Sequence, residues 1–525
     1  MLNTRLVAGA AVLGLVGSVL LTTAATSAAA PVPLCDVFFD IDKDKHDDLV
    51  VGTPGEDVGR ATDAGTVTVA YGDSTGTFGP FDGRSISEAD LGYTSQPGDR
   101  FGAVVLTADL NGDKCGDLVI GAPGKSSGAG AVYVVYGKAP GTTGSQFGDS
   151  VQVLRQGANG VSGKAEAGDG FGSSLAVTGS GANGPTQLWV GVPGEDIGKT
   201  KNAGLVQVFR TATTVGGVLP TTGITSRQQG SGGFSGGPEA GDAFGSSLAG
   251  SATTVLVGAP GEGVGSRKSA GMFYAVVAGV PAGYTENSTG IPGGVEAGDR
   301  FGSRLAVWPG CQPGTEAWAI GTPLENVGSV VDAGAVAVLD RGTRTALLLQ
   351  QGLNGLPGGA EKGDLFGSAL VGTGRAGGRT PSLAIGAPGE NLSAGTVTTL
   401  SVTCAGTVLS ASSVKTWSQN TGVIPDSTQS GDRFGAALGA SLVLEGPVAG
   451  NVLDYRLVIG APGEDESTQD GPLINSGIVT VLPAAPGGFT DIGSEAFGQS
   501  TALMPGVGET SDGFGSALDS ANASR

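Results

Sequence analysis

A single phrase, Asp-x-Phe-Gly, returns seven times along this chain, with its aromatic residues at Phe101, Phe171, Phe244, Phe301, Phe366, Phe434 and Phe514. A second phrase, an apolar run ending in Gly, a small residue and Pro, alternates with it at Pro54, Pro123, Pro193, Pro260, Pro323, Pro388 and Pro462. Successive prolines stand 69, 70, 67, 63, 65 and 74 residues apart. A third element, Ala-Gly or a close variant followed by alternating apolar residues, comes after most prolines, as in Ala64-Gly65-Thr66-Val67-Thr68-Val69 and Ala394-Gly395-Thr396-Val397. Gly 98 and Pro 27 of 525 residues would suit a low-complexity chain if they were scattered. Their periodic recurrence makes this an array of structural repeats instead.

Each unit holds short runs of Val, Leu, Ile and Thr bounded by Gly, Pro, Asn and Asp, which read as strands and turns. One small sheet per unit cannot cover both its faces, so the sheets must pack in series. The chain starts with the second phrase and finishes with the first, which splits one unit between its two ends. An open solenoid gains nothing from such a split, whereas a ring closes through it. The predicted fold is therefore all-β: a seven-bladed β-propeller of four-stranded blades over 31–525, one blade completed by both chain termini. The Gly before each Pro suits inner strands, where backbones crowd near the axis, and the Asp before Phe-Gly suits a side-chain turn cap.

Lys+Arg 28 against Asp+Glu 48 leaves a net charge of -20, which repels phosphate backbones and argues against nucleic-acid binding. One histidine, His46, leaves little scope for histidine-based catalysis. Gly72-Asp73-Ser74-Thr75-Gly76 matches a nucleophile elbow, yet it runs into a Gly-rich loop and not a helix. Gly124-Lys125-Ser126 and Gly198-Lys199-Thr200 lack the upstream Gly of a phosphate loop. No catalytic constellation is expected. At the N-terminus Arg5, an apolar run from Leu6 to Leu21 and a small-residue tract ending at Ala30 read as a secretory signal over 1–30, cut after Ala28 or Ala29. The expected product is a secreted monomer without a membrane anchor, free in the medium or associated with the cell envelope.

Phe101-Gly102 and Gly121-Ala122-Pro123-Gly124 resemble the FG-GAP repeat of the integrin alpha-chain N-terminal propeller and its bacterial relatives. The resemblance implies calcium loops in the hairpin between the first two strands of some blades, and extracellular ligand recognition or cell adhesion. Two stretches match such a loop: Asp109, Asn111, Asp113 and Asp117 with the Cys115 carbonyl, and Asp40, Asp42, Asp44 and Asp48 with His46 at the carbonyl position. Converging oxygens of this kind suit a hard cation, and about two Ca2+ ions are expected. Lys45 and Lys114 stand where the family has Gly, at a cost of about 1 to 2 kcal/mol if they are left-handed. The four cysteines allow three pairings. The loop positions favour Cys35 with Cys115 and Cys311 with Cys404.

Opposite the calcium loops, the sequence gathers Glu56, Asp57, Glu195, Asp196, Glu262, Glu325, Glu390, Glu464 and Asp465, with Glu166, Glu239, Glu296 and Glu361 from the inter-blade turns. This acidic face predicts a protein or glycan partner that is cationic or cation-bridged. Family relatives that are phospholipases carry a separate catalytic domain, so a hydrolase-associated propeller is the second reading. A structural envelope protein without a specific partner is the third.

Overall fold

The computed structural model describes residues 40, 46, 48–72, 78, 83–137, 150–179, 186–211, 217–374, 381–445, 452–468, 471–501 and 508–519. The expected signal segment, Cys35, Asp42, Asp44 and Lys45 lie outside these residues. Seven four-stranded antiparallel sheets, each one blade, make up the fold, with two short two-stranded hairpins, Glu466–Thr468 with Gly471–Leu473 and Ala484–Ala485 with Gly488–Phe489, beside the last. Blade two, for example, runs Val104–Ala108, Asp117–Ala122, Ala131–Val135 and Val151–Leu154. Blade one pairs Leu49–Thr53 with Thr66–Ala70 and with Ala517–Leu518 from the other end of the chain, in the register Val51 to Leu518 and Gly52 to Ala517. Helix is confined, among the described residues, to the four-residue turns Lys125–Gly128 and Glu390–Ser393.

The innermost strand of each blade is the one that follows Phe-Gly, which corrects the expectation that the Gly-x-Pro strand lies inside. Those strands touch in a ring: Val104–Ala108, Leu175–Thr178, Leu248–Gly250, Arg304–Pro309, Ala369–Gly372, Ala437–Glu445, then Ala517–Leu518, which returns to Val104–Ala108. The Gly-x-Pro strand comes second, and crowding still explains its glycine. A Cβ on Gly386 would lie 2.1 Å from the carbonyl oxygen of Gly435 in the next blade. The same approach recurs at Gly52, Gly121, Gly191, Gly258, Gly321 and Gly460. Gly435 in turn donates its N–H to the Gly460 carbonyl of its own blade at 3.0 Å, with φ at 87°. The two glycines of the repeat are thus partners across every blade junction.

The phenylalanines complete the joint. All seven are fully buried, at 0% exposure. The Phe434 N–H donates to the Ala394 carbonyl of the preceding blade at 2.9 Å, so the Ala-Gly element is the other half of this contact. The core is accordingly divided into seven clusters, each shared by two neighbouring blades. One holds Val67 and Ile86 of blade one with Phe101, Ile120 and Tyr133 of blade two. Another holds Val458, Val481 and Phe497 of blade seven with Leu49 and Val51 of blade one. Burial of one such aromatic side chain contributes roughly 1.5 to 3 kcal/mol. Blades five and six are also joined covalently by Cys311–Cys404, with Cα atoms 5.9 Å apart across 93 residues of sequence. Cys115 is disulfide-bonded as well; Cys35, its expected partner, lies outside the described residues.

Candidate calcium loop, blade junctions and axial cavity

The loop between Val104–Ala108 and Asp117–Ala122 is the hairpin of the first two strands of blade two, where the sequence placed a calcium site. Its side chains fold back on its own amides. Asp109 accepts from the Gly112 N–H at 2.7 Å and from the Lys114 N–H at 3.0 Å. Asn111 accepts from the Asp113 N–H at 3.0 Å, and Asp113 accepts from the Cys115 N–H at 2.8 Å. Asp117 is fully buried, taking the Leu110 N–H at 2.8 Å and the Gly137 N–H at 3.0 Å. Lys114 is left-handed, φ 69°, so the strain expected for a non-glycine residue there is present. Burial pushes Asp113 above the usual carboxylate range, and pushes Asp117 well above it. No ion pair among the described residues offsets this crowding of oxygens, and a hard cation fits the donor set. In the first loop Asp48 is buried and accepts from the Gly72 N–H at 3.1 Å, while Asp40 and His46 are half-buried. Asp42 and Asp44 lie outside the described residues.

On the other face, the turns before Phe-Gly meet the turns after Gly-x-Pro of the same blade and the last strand of the blade before. The Asp of each Asp-x-Phe-Gly caps its own turn: Asp299 accepts from the Glu296 N–H at 2.5 Å and Asp364 from the Glu361 N–H at 2.6 Å. Beneath five of the seven caps a buried glutamine pairs with a glutamate, an arrangement that sequence reasoning missed. Gln156 donates to Glu195 at 2.7 Å, Gln229 to Glu262, Gln419 to Glu464 and Gln499 to Glu56 each at 2.5 Å, and Gln351 to Glu390. Burial raises each of these glutamates above the ordinary value. Two junctions depart from the rule. Between blades one and two, Lys125 bridges Glu88 at 2.5 Å and Asp99 at 2.7 Å, all three buried. Between blades four and five, Glu286 stands in the glutamine position.

These pairings redraw the acidic face. Glu56, Glu325, Glu390 and Glu464 are buried between blades and do not face solvent. Asp57, Asp196 and Asp465 cap turns by accepting the N–H groups of Asp63, Asn202 and Asn475 at 2.9, 3.0 and 2.8 Å. Glu239, Glu296 and Glu361 remain exposed, and Glu166 is half-buried. At the centre of the same face a cavity of about 820 Å³ is lined by Pro54, Asp63, Arg100, Arg304, Arg433 and Pro462, drawn from blades one, two, five and seven. None of the three arginines pairs with a carboxylate among the described residues. Below it the inner strands close the axis around Leu106, Val177, Leu305, Val307 and Val371, leaving about 70 Å³.

The FG-GAP repeat profile matches residues 39–69 and 101–135. Over 106 residues the chain is 37% identical to phosphatidylinositol-glycan-specific phospholipase D of Mus musculus, covering 19% of this chain and 12% of that protein. Over 109 residues it is 38% identical to the Rattus norvegicus protein of the same name, covering 19% and 13%. The match thus spans about an eighth of the length of these curated relatives. Among solved structures, the Niastella koreensis GH74 enzyme aligns with 85% of this chain and 58% of its own, at 10% identity and a TM-score of 0.36. With its repeated phrases forming every blade junction, the chain is a seven-bladed β-propeller that carries FG-GAP repeats, consistent with an integrin alpha-like propeller.

Proposed function

We propose that this propeller is exported and recognises an extracellular protein or glycan through the face that holds the axial cavity, with calcium ordering the hairpin loops opposite. The observation that carries the reading is the cavity itself. Three unpaired guanidinium groups converge on about 820 Å³ in a chain of net charge -20, a volume within the range of ligand sites. Guanidinium groups that form no ion pair among the described residues suit carboxylate, sulfate or phosphate groups on a ligand, although Asp63 and Asp512 also line the cavity. Of the acidic residues expected to face a cationic partner, Glu56, Glu325, Glu390 and Glu464 lie between blades while Glu239, Glu296 and Glu361 stay exposed, so it is the arginines of the cavity that favour an anionic group on the ligand. A disulfide and the absence, among the described residues, of a helix long and apolar enough to cross a membrane accord with an extracellular setting.

The test is saturable binding of the purified chain, in calcium, to arrayed sulfated, sialylated and neutral glycans and to matrix proteins. Arg100→Ala, Arg304→Ala and Arg433→Ala combined are expected to weaken binding to an anionic ligand at least tenfold, about 1.4 kcal/mol, with unchanged circular dichroism. Undiminished binding would remove the cavity from the reading. Calcium is tested separately by thermal unfolding. Chelation is expected to lower the midpoint of the wild type more than that of Asp113→Ala, because an ion at a hundred times its Kd stabilises by about 2.7 kcal/mol. Equal responses in the two proteins would leave the loop as an ordinary acidic turn.

The similarity to phosphatidylinositol-glycan-specific phospholipase D supports a second reading, a propeller that serves a hydrolase as its accessory module. Assay of the purified chain on a glycosylphosphatidylinositol-anchored substrate separates the two. We expect no cleavage, and turnover would make the protein a hydrolase in its own right.

A further inference from the structure

We infer that Glu286, Asp299 and Glu325 form a buried binding site for a divalent hard cation, Ca2+ by its oxygen-only ligands, clamping blade four to blade five. Each carboxylate offers an oxygen within 4.8 Å of the other two. That is the widest separation two oxygens can have when both ligate one ion at about 2.4 Å. The three residues are buried, at 6%, 0% and 8% exposure. Glu286 Oε2, Asp299 Oδ1 and Glu325 Oε2 each lack a hydrogen-bond partner.

The other six junctions show what is missing here. In five of them the residue opposite the glutamate is a glutamine, whose amide donates the proton that joins the pair. In the sixth a glutamate, Glu88, takes the glutamine position, and there the glutamate position is held by Lys125. Its ammonium group bridges Glu88, Asp99 and the Thr94 carbonyl at 2.5, 2.7 and 2.6 Å. Where the glutamine becomes a carboxylate, the propeller thus supplies a cation of its own. At Glu286 the same replacement occurs and the partner is still glutamate, so among the described residues neither an amide donor nor an ion-paired cation joins the two. The nearest charges do not serve: Arg267 and Glu296 are exposed, and Glu296 accepts from Asn326 Nδ2 at 3.3 Å.

This site is independent of the 109–117 loop, and the experiment keeps them apart. Calcium bound per chain is counted by equilibrium dialysis of the metal alone against wild type, Glu286→Gln, Asp113→Ala and the double variant. Glu286→Gln gives this junction the glutamine that five others carry, so folding should survive. Glu325→Gln is the second variant, checked by circular dichroism. The expected result is one ion fewer in Glu286→Gln and in Glu325→Gln, whatever residue 113 is. A chelator should also lower the melting midpoint of the wild type more than that of Glu286→Gln. If Glu286→Gln binds as many ions as wild type, the three carboxyls share protons and the inference is wrong, even if Asp113→Ala loses an ion. If Asp113→Ala alone keeps the full count, the loop reading fails and this one stands.

Discussion

Phe244→Ala should cost about 3 to 5 kcal/mol of stability, the range for truncating a fully buried aromatic side chain. Phe244 is 0% exposed and packs edge-to-face on Phe234 at 5.3 Å and on Tyr274 at 5.5 Å between ring centroids. Its N–H is held by the Ala203 carbonyl of blade three at 2.9 Å. Those aromatic neighbours are themselves fixed, Tyr274 by its hydroxyl donating to the Ser235 carbonyl at 2.5 Å, so they cannot collapse into the space left. A cavity at one junction weakens the contact between two blades and with it the ring. The comparison is Ile492→Ala, where the side chain is 76% exposed and the change should stay within about 0.5 kcal/mol. Urea midpoints at constant m-value measure both. A loss below about 1 kcal/mol for Phe244→Ala would mean that the phenylalanines do not carry the joints between blades.

The corresponding joint between blades six and seven can be broken by addition. Gly386→Ala places a methyl group 2.1 Å from the Gly435 oxygen, in the Phe-Gly turn of the next blade, and 3.3 Å from the Ala369 Cβ on the innermost strand of its own blade. Overpacking of this kind costs about 1 to 3 kcal/mol.

The repeat period, the strand content and the blade number were legible because they rest on local residue types: β-branched runs, turn formers and the phrases that bound them. The Phe-Gly and Gly-x-Pro phrases also announced close backbone approach. Which strand lies inside was not legible, because two glycines crowd every junction and only the fold shows that Gly435 sits nearer the axis than Gly386 does. The disulfide Cys311–Cys404 was favoured from the repeats and is present, although Cys311 follows the innermost strand of blade five and Cys404 lies on the third strand of blade six.

The polar junctions escaped for a different reason. Gln156 and Glu195 are 39 residues apart, Gln229 and Glu262 33, and Gln499 and Glu56 443. No short motif joins them. Taken alone, a glutamate after Pro-Gly is a solvated turn residue and a glutamine at the end of a strand is unremarkable chemistry. Their pairing could have been found only by stacking the seven repeats, where Gln156, Gln229, Gln351, Gln419 and Gln499 align, and where Glu88 and Glu286 stand out as the exceptions. The three arginines of the axial cavity are as scattered: Arg100 and Arg433 precede a Phe, while Arg304 begins an inner strand. The ring, not the sequence, makes them neighbours.

Stability should fall as pH rises from 5 to 8.5, contrary to the usual behaviour of carboxylate-rich proteins. Burial, the largest cause in each case, pushes Glu56 and Glu464 from 4.5 up to about 8, Glu262 to about 7, and Asp242, Asp432 and Asp512 to about 6. A carboxyl whose pKa is higher folded than unfolded binds more protons in the native state throughout the interval between the two values. The slope of unfolding free energy with pH is then negative. The contribution is complete below about 4.5 and is lost as pH passes through 6 to 8, on the order of 2 kcal/mol per glutamate junction. The carboxyls with lowered values, Asp196 and Asp491, lie on the solvent side and carry no opposing weight. Melting midpoints in chelator at pH 5.5 and 8.5 measure the effect, with Glu464→Gln as the control. The amide cannot titrate, so its pH dependence should be flatter than wild type by one junction's share. A midpoint that rises with pH in the wild type would mean that the junction glutamates stay ionised, held by their glutamines alone.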